Sequence, residues 1–241
     1  MLGRLKLRRL VLAALVLSGL LLSESAFAVP IRLQLVNGTT VINILDGALL
    51  DSNAAIGTVT YSGSVGKWDV NVTTALGSGS LSPIGHMDLA SINVNSWGSG
   101  DPGTLTIRFT ELNIDVAYPS FDLRLGGTNT RTSLQYEAYY DNTNLYPTTA
   151  TGSATAGATP VLIGSLGPYS GSGSFSGSMS GSASTDTSYA LTQTLEINAL
   201  SPFPGNVFSA DAELIPHPVP EPSTLLLLGS GLLVLAARRR R

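Results

Sequence analysis

Apolar residues in the body of this chain recur at every second position, and that period most restricts what it can fold into. Ile31-Arg32-Leu33-Gln34-Leu35, Leu89 to Val94, Leu105-Thr106-Ile107-Arg108-Phe109 and Leu134-Gln135-Tyr136-Glu137-Ala138 alternate cleanly, and Leu191 to Ile197 does so less regularly. A period of two turns one face of an extended strand inward and leaves the other in water, whereas an amphipathic helix needs 3.6. Threonine, valine, isoleucine and tyrosine supply strand propensity, and no body segment carries a sustained helical stripe. Turn chemistry separates the runs at Asn37-Gly38, Asp46-Gly47, Asp101-Pro102-Gly103, Gly126-Gly127 and Pro202 to Asn206. Many short strands so spaced predict an all-β, antiparallel β-sandwich with jelly-roll-like or Greek-key connections, an antiparallel barrel being the alternative.

One low-complexity stretch fits the same logic. From Ser170 to Ser184 every even position is serine, while the odd ones read Gly171, Gly173, Phe175, Gly177, Met179, Gly181 and Ala183. A flexible linker needs no such register, so a strand is predicted, with hydroxyls on one face and small or apolar groups on the other. Thr148 to Thr159 has no parity and reads as a long loop. The chain has no cysteine, which excludes disulfide stapling, thiol catalysis and thiolate metal sites.

Both ends read as targeting segments. Arg4, Lys6, Arg8 and Arg9 precede an apolar run from Leu10 to Leu22, and Ala26-Phe27-Ala28 is an A-x-A cleavage site. This is the layout of a secretory signal peptide over residues 1–28, forming a signal helix and cut after Ala28 by signal peptidase. At the other end Val219-Pro220-Glu221-Pro222-Ser223 leads into an apolar stretch, residues 224–237, and then Arg238, Arg239, Arg240 and Arg241. The prolines favour an extended, presented acid. The apolar stretch predicts a transmembrane helix of roughly 21 Å, short against a hydrocarbon core of about 30 Å. The arginines would hold its end on the cytoplasmic side. Residues 29–215 are then the all-β exported domain, and Pro216-His217-Pro218 opens a stalk into the C-terminal signal at 216–241.

Motif, order and spacing of this C-terminal segment resemble the PEP-CTERM sorting signal of Gram-negative bacteria that make exopolysaccharide. The resemblance covers only the tail. It implies that an exosortase cuts at or near the Pro-Glu-Pro motif after transient anchoring in the inner membrane, and that the body ends at the cell surface or in the extracellular matrix. The stretch from Tyr189 to Leu214 is similar, more loosely, to strands that precede this signal in such proteins.

The body between these segments holds five basic residues, Arg32, Lys67, Arg108, Arg124 and Arg131, against fourteen acids, a formal charge of −9. Such a body is unsuited to nucleic acid, whose phosphates require clustered cations. Catalytic signals are sparse. His86 follows a turn-like Ser82-Pro83-Ile84-Gly85 with no nucleophile elbow, and no metalloprotease, P-loop or dinucleotide pattern occurs. Glu111, Glu137, Glu196 and Glu213 are available as paired carboxylates for glycoside cleavage, but acids on strands ordinarily face solvent. Asp141-Asn142-Thr143-Asn144 has oxygen groups in the manner of a calcium loop yet lacks the glycine and terminal glutamate of an EF-hand. Tyr136 and Tyr140 share the apolar parity and Tyr139 the other; Trp68 and Trp97 read as core. No cofactor and no metal site is expected. The sequence therefore favours a non-enzymatic surface or matrix protein associated with exopolysaccharide, the alternative being a secreted glycoside hydrolase or carbohydrate-binding module.

Overall fold

The computed structural model describes residues 30–77, 81, 84–146, 158–186 and 188–217. The expected signal helix, the transmembrane helix, the sorting-motif residues Val219 to Ser223 and most of the Thr148 to Thr159 tract lie outside these. Ten antiparallel strands form among the described residues: β1 (Ile31–Asn37), β2 (Thr40–Leu45), β3 (Thr58–Val65), β4 (Trp68–Leu76), β5 (Met87–Ser96), β6 (Thr104–Ile114), β7 (Ser120–Asp141), β8 (Val161–Ser182), β9 (Tyr189–Ala199) and β10 (Val207–His217). Among the described residues no helix is long and apolar enough to cross a membrane.

The strands run β2-β1-β6-β9-β7-β10-β5-β4-β3, with β8 paired to β7. The hairpin of β7 and β8, each 22 residues long, joins two arms. Its Thr132–Asp141 portion pairs with β9, and its Ser120–Thr130 portion pairs with β10. The change falls at Arg131, whose φ of 56° and the register shift against β8 between Thr130 and Thr132 mark a bend. The inward residues of both arms then meet in a single core. Leu33, Phe109, Leu134, Tyr136 and Leu195 come from one arm, and Trp68, Val72, Leu89, Leu123, Phe208 and Leu214 from the other. Each such fully buried side chain stabilises the fold by roughly 1.5–3 kcal/mol.

The alternating segments all lie on strands, and the serine-rich stretch forms the second half of β8. Every serine from Ser170 to Ser182 is exposed, while Phe175, Gly177 and Met179 are half-buried and Gly181 is buried. The glycines have a packing reason. The first half of β8 lies across the second, so a Cβ on Gly181 would collide with the Ile163 carbonyl and one on Gly177 with the Tyr169 hydroxyl.

Three expectations are corrected. Gly126-Gly127 is no turn; it lies inside β7, where a Cβ on Gly127 would overlap Ser209 O and stand 2.9 Å from the Phe175 ring. Glycine here permits close approach instead of chain reversal. Trp97 is 48% exposed, because it follows β5 on the outward parity of Asn93 and Asn95. Pro216 and His217 belong to β10 and pair with Phe121 and Ser120, so the strand continues where a stalk was expected.

Candidate functional site

Antiparallel register, which local periodicity cannot specify, assembles a charged row on the outer face of one arm. Glu213 of β10 pairs with Arg124 of β7 on one side and with Asp88 of β5 on the other. Residues directly opposite in this way have Cβ atoms about 4.5–5.5 Å apart. His86, just before β5, reaches the same carboxylate. Its Nε2 is 2.8 Å from Glu213 Oε1, and Arg124 Nη1 is 3.6 Å from Oε2. The register shift between Ala210 and Ala212 adds Asp211, whose Oδ1 accepts a hydrogen bond from Ser91 N at 2.5 Å. Ser91 has a φ of 54°. Asp88, Ser91, Arg124, Asp211 and Glu213 line a shallow, open depression of about 530 Å³. Desolvation, then repulsion from Glu213 and Asp211, raises the Asp88 carboxyl above its ordinary range, and His86 opposes this. Chemically this is an acid-rich cluster of three carboxylates, Asp88, Asp211 and Glu213, in which Glu213 is engaged through both oxygens by His86 and Arg124.

The other arm carries a polar outer face. Arg108 Nη1 donates to Gln34 Oε1 at 3.0 Å, and Gln34 Nε2 donates to Asn43 Oδ1 at 2.9 Å, forming a chain across β6, β1 and β2. Thr110 and Thr192 hydroxyls lie 3.0 Å apart, Tyr139 donates to Glu137, and Gln135 donates to Ser165. The Tyr146 ring lies 4.1 Å from the Arg32 guanidinium. Burial pushes Arg32 down to about 10, with Tyr146 opposing and Arg108 adding to the effect. Sequence reading missed this face. Alternation assigns Gln34 and Arg108 to the solvent side, yet they are only 2% and 3% exposed. The available signal was two arginines at the polar parity of strands in a body otherwise poor in cations.

The remaining candidates resolve individually. Tyr136 and Tyr140 are buried, as their parity predicts, and Tyr139 lies on the opposite, polar face. Glu111 is fully buried, Glu196 is exposed, and Glu137 accepts from Tyr139. Asp141 is a local cap: Oδ1 accepts from Thr143 N and Oγ1 at 2.8 and 2.6 Å, and Oδ2 accepts from Thr159 N at 3.1 Å. Asn144 Oδ1 accepts from Asn113 N at 2.8 Å, and Asn142 Oδ1 accepts from Asp186 N at 3.1 Å. These oxygens are turned to protein donors instead of toward a common centre, and no group of three metal-ligating side chains occurs among the described residues. At the end opposite His217, Asn206 Nδ2 donates to Ser96 Oγ, Ser201 O and Phe203 O at 2.8–2.9 Å. It thereby fixes the loop that leaves Leu200 and Phe203 exposed near Trp97.

Functional geometry at the C-terminal end is better defined. His217, the last rung of interior strand β10, has Nε2 2.8 Å from Asp122 Oδ2. Asp122 Oδ1 accepts from Ser180 Oγ at 2.5 Å, and the Ser180 bond, followed by the His217 contact, holds the carboxyl below its ordinary range against desolvation.

Comparison with curated proteins finds no match to this sequence. Solved structures resemble the body loosely. The TmCBM61 module determined with β-1,4-galactotriose is 8% identical, over 52% of this chain and 71% of its own, with a TM-score of 0.28. The N-terminal cellulose-binding domain of Cellulomonas fimi β-1,4-glucanase C is 14% identical, over 55% and 80%, at 0.30. The K2 cleaved adhesin domain of Lys-gingipain is 9% identical, over 71% and 95%, at 0.34. Likenesses at this level carry no argument about ligand. Immediately beyond His217, residues 218–241 match the family model of the PEP-CTERM protein-sorting motif, and the chain is thus one that carries the PEP-CTERM sorting signal.

Proposed function

We propose that this chain is an exported, non-enzymatic cell-surface or extracellular-matrix protein, sorted by an exosortase-type system and associated with exopolysaccharide. The body is a β-sandwich of jelly-roll-like or Greek-key connection. The observation that carries the reading is the sorting motif at 218–241, placed directly after an acidic all-β body. Export begins with cleavage after Ala28, passes through transient anchoring by residues 224–237 with Arg238 to Arg241 cytoplasmic, and ends with loss of the tail. The carboxylates support a structural role: Glu213 is tied to His86 and Arg124, and Glu111 is buried. Intact mass of the exported protein tests the route. The expected product starts near Val29 and lacks the arginine tail; recovery of Arg238 to Arg241 in that product refutes it. Glu221→Gln separates a read signal from a plain anchor. Loss of a charge-assisted contact worth roughly 1.5–3 kcal/mol slows maturation about tenfold to hundredfold, whereas equal rates mean the acid is not read.

A second reading, a carbohydrate-binding body, is favoured by the polar face on which Tyr139, Glu137 and Gln135 stand half-buried. An amide, a carboxylate and an aromatic edge on one surface suit hydroxyl-rich polymers. Affinity electrophoresis through gels of the host's exopolysaccharide tests it: retardation abolished by Tyr139→Ala supports the reading, and unretarded wild type excludes it.

A further inference from the structure

The last described strand and the sorting motif share almost no tether. His217 is paired to Ser120, and β10 lies between β7 and β5. The rung is reinforced by the Asp122 contact and by Ser180 behind it, and Pro216 next to it is buried. The matched motif starts at the next residue, Pro218. Glu221 is four residues from His217, so its Cα can stand at most roughly 14 Å from the end of β10 even when the chain is fully drawn out. A processing enzyme grips its peptide extended, over several residues around the bond. The arm around β10 is six strands wide, β8-β7-β10-β5-β4-β3, or about 24 Å at ordinary strand spacing. Such a body cannot follow the peptide into a membrane-embedded active site. Sheet and enzyme therefore compete for the same few residues.

The start of the body leaves from the same end. Leu76 pairs with Asp88, which pairs with Glu213, and a Cβ on the neighbouring Gly77 would meet Ile31 at 2.9 Å. The Trp97 and Phe203 loops lie at the other end.

The geometry points to the terminal rungs of β10 as a gate on processing. The bond at the motif is cut from a form in which Pro216 and His217 have parted from β7, and the clasp of His217, Asp122 and Ser180 sets how often that form occurs. Strand ends open locally far more readily than whole domains unfold, so the gate needs no global unfolding. This inference rests on reading 218–241 as an exosortase substrate.

Because the chain has no cysteine of its own, the rung can be locked cleanly. Directly opposed residues in an antiparallel pair have Cα atoms about 4.5–5.5 Å apart, within disulfide range. Ser120→Cys with His217→Cys will therefore cross-link in the oxidising exported compartment. In a host carrying the sorting enzyme, pulse-chase should show precursor conversion slowed at least tenfold in the cross-linked chain. Ser120→Cys alone, which leaves the clasp intact, should mature within about twofold of wild type, and His217→Cys alone, which breaks it, should mature no more slowly than wild type. Six Gly/Ser residues inserted between His217 and Pro218 of the cross-linked chain should restore the rate, since they supply the reach that opening otherwise provides. Conversion of the cross-linked chain at the wild-type rate overturns the gate, as does slow conversion that persists after the insertion. A wild-type chain that is never matured overturns the sorting reading together with the gate, so the two failures are distinguishable.

Discussion

Tyr169 and Phe175 belong to one strand, yet their rings stack with centroids 5.0 Å apart and planes at 23°. Six residues of straight strand would separate them by roughly 20 Å. The contact therefore requires β8 to turn back on itself, as it does opposite the Arg131 bend of β7. Phe208 of β10 continues the stack at 5.9 Å and 10°, tying the folded hairpin to the second arm.

This fold-back makes the glycines of β8 unequal to its serines. Gly181→Ala, which drives a methyl into the Ile163 carbonyl, should destabilise the body by about 2 kcal/mol or more. Ser176→Ala on the exposed face should stay within about 0.5 kcal/mol. Phe175→Ala, which removes the middle of the stack, should cost about 2–4 kcal/mol. Urea midpoints of the exported body check all three, and equal effects at Gly181 and Ser176 would refute the packing role.

Tyr136 is fully buried, its hydroxyl donating to Gln193 Oε1 at 2.8 Å. Gln193 Nε2 has no partner, so this core polar pair is only half satisfied. Tyr136→Phe should cost about 1–2 kcal/mol by stranding the glutamine oxygen as well. Adding Gln193→Leu should recover most of that loss. A double-mutant cycle by chemical denaturation measures the coupling, and additive losses would show that the pair does not act as a unit.

Asp88 gives a pH dependence of defined sign. Its folded-state pKa is raised by desolvation and by its acidic neighbours. Between the ordinary carboxylate value and the raised one, the folded form binds more protons than the unfolded. Its contribution to stability is therefore greatest in acid, falls as pH rises through the folded pKa, and is a constant penalty above it. Asp88→Asn should accordingly be more stable than wild type at pH 7, with the advantage shrinking as pH is lowered through the carboxylate range. Urea midpoints at pH 7 and pH 4 check this, and an advantage that grows on acidification would contradict it.

Asn206 is fully buried and fixes the loop from Leu200 to Gly205 through three side-chain hydrogen bonds. Asn206→Ala should cost about 2–3 kcal/mol and open that loop to proteolysis. Limited digestion followed by mass mapping should place the first new cut between Leu200 and Asn206; a first cut elsewhere would deny the asparagine its local role.

The strand segments and the outward serine face of β8 were legible because both are recorded in i, i+2 parity, a local property of an extended chain. The same parity placed Tyr136 and Tyr140 inside and Tyr139 on the other face. Local rules misread Gly126-Gly127 because glycine serves equally in a turn and in close packing, and only Ser209 and Phe175 across the sheet select the second use. They misread Trp97 because parity says which face a residue takes, not whether another layer covers that face.

By itself, the sequence determined the β class, the inward and outward faces of the strands and the tail signal at 218–241, each of which depends on residues close together in the chain. Tertiary structure alone decided that Arg124, Glu213 and Asp88 share a row, that Gln34 and Arg108 are buried, and that His217 is a paired rung next to the signal. These depend on which distant strands become neighbours and in what register, and many sequences with the same alternation could pair differently.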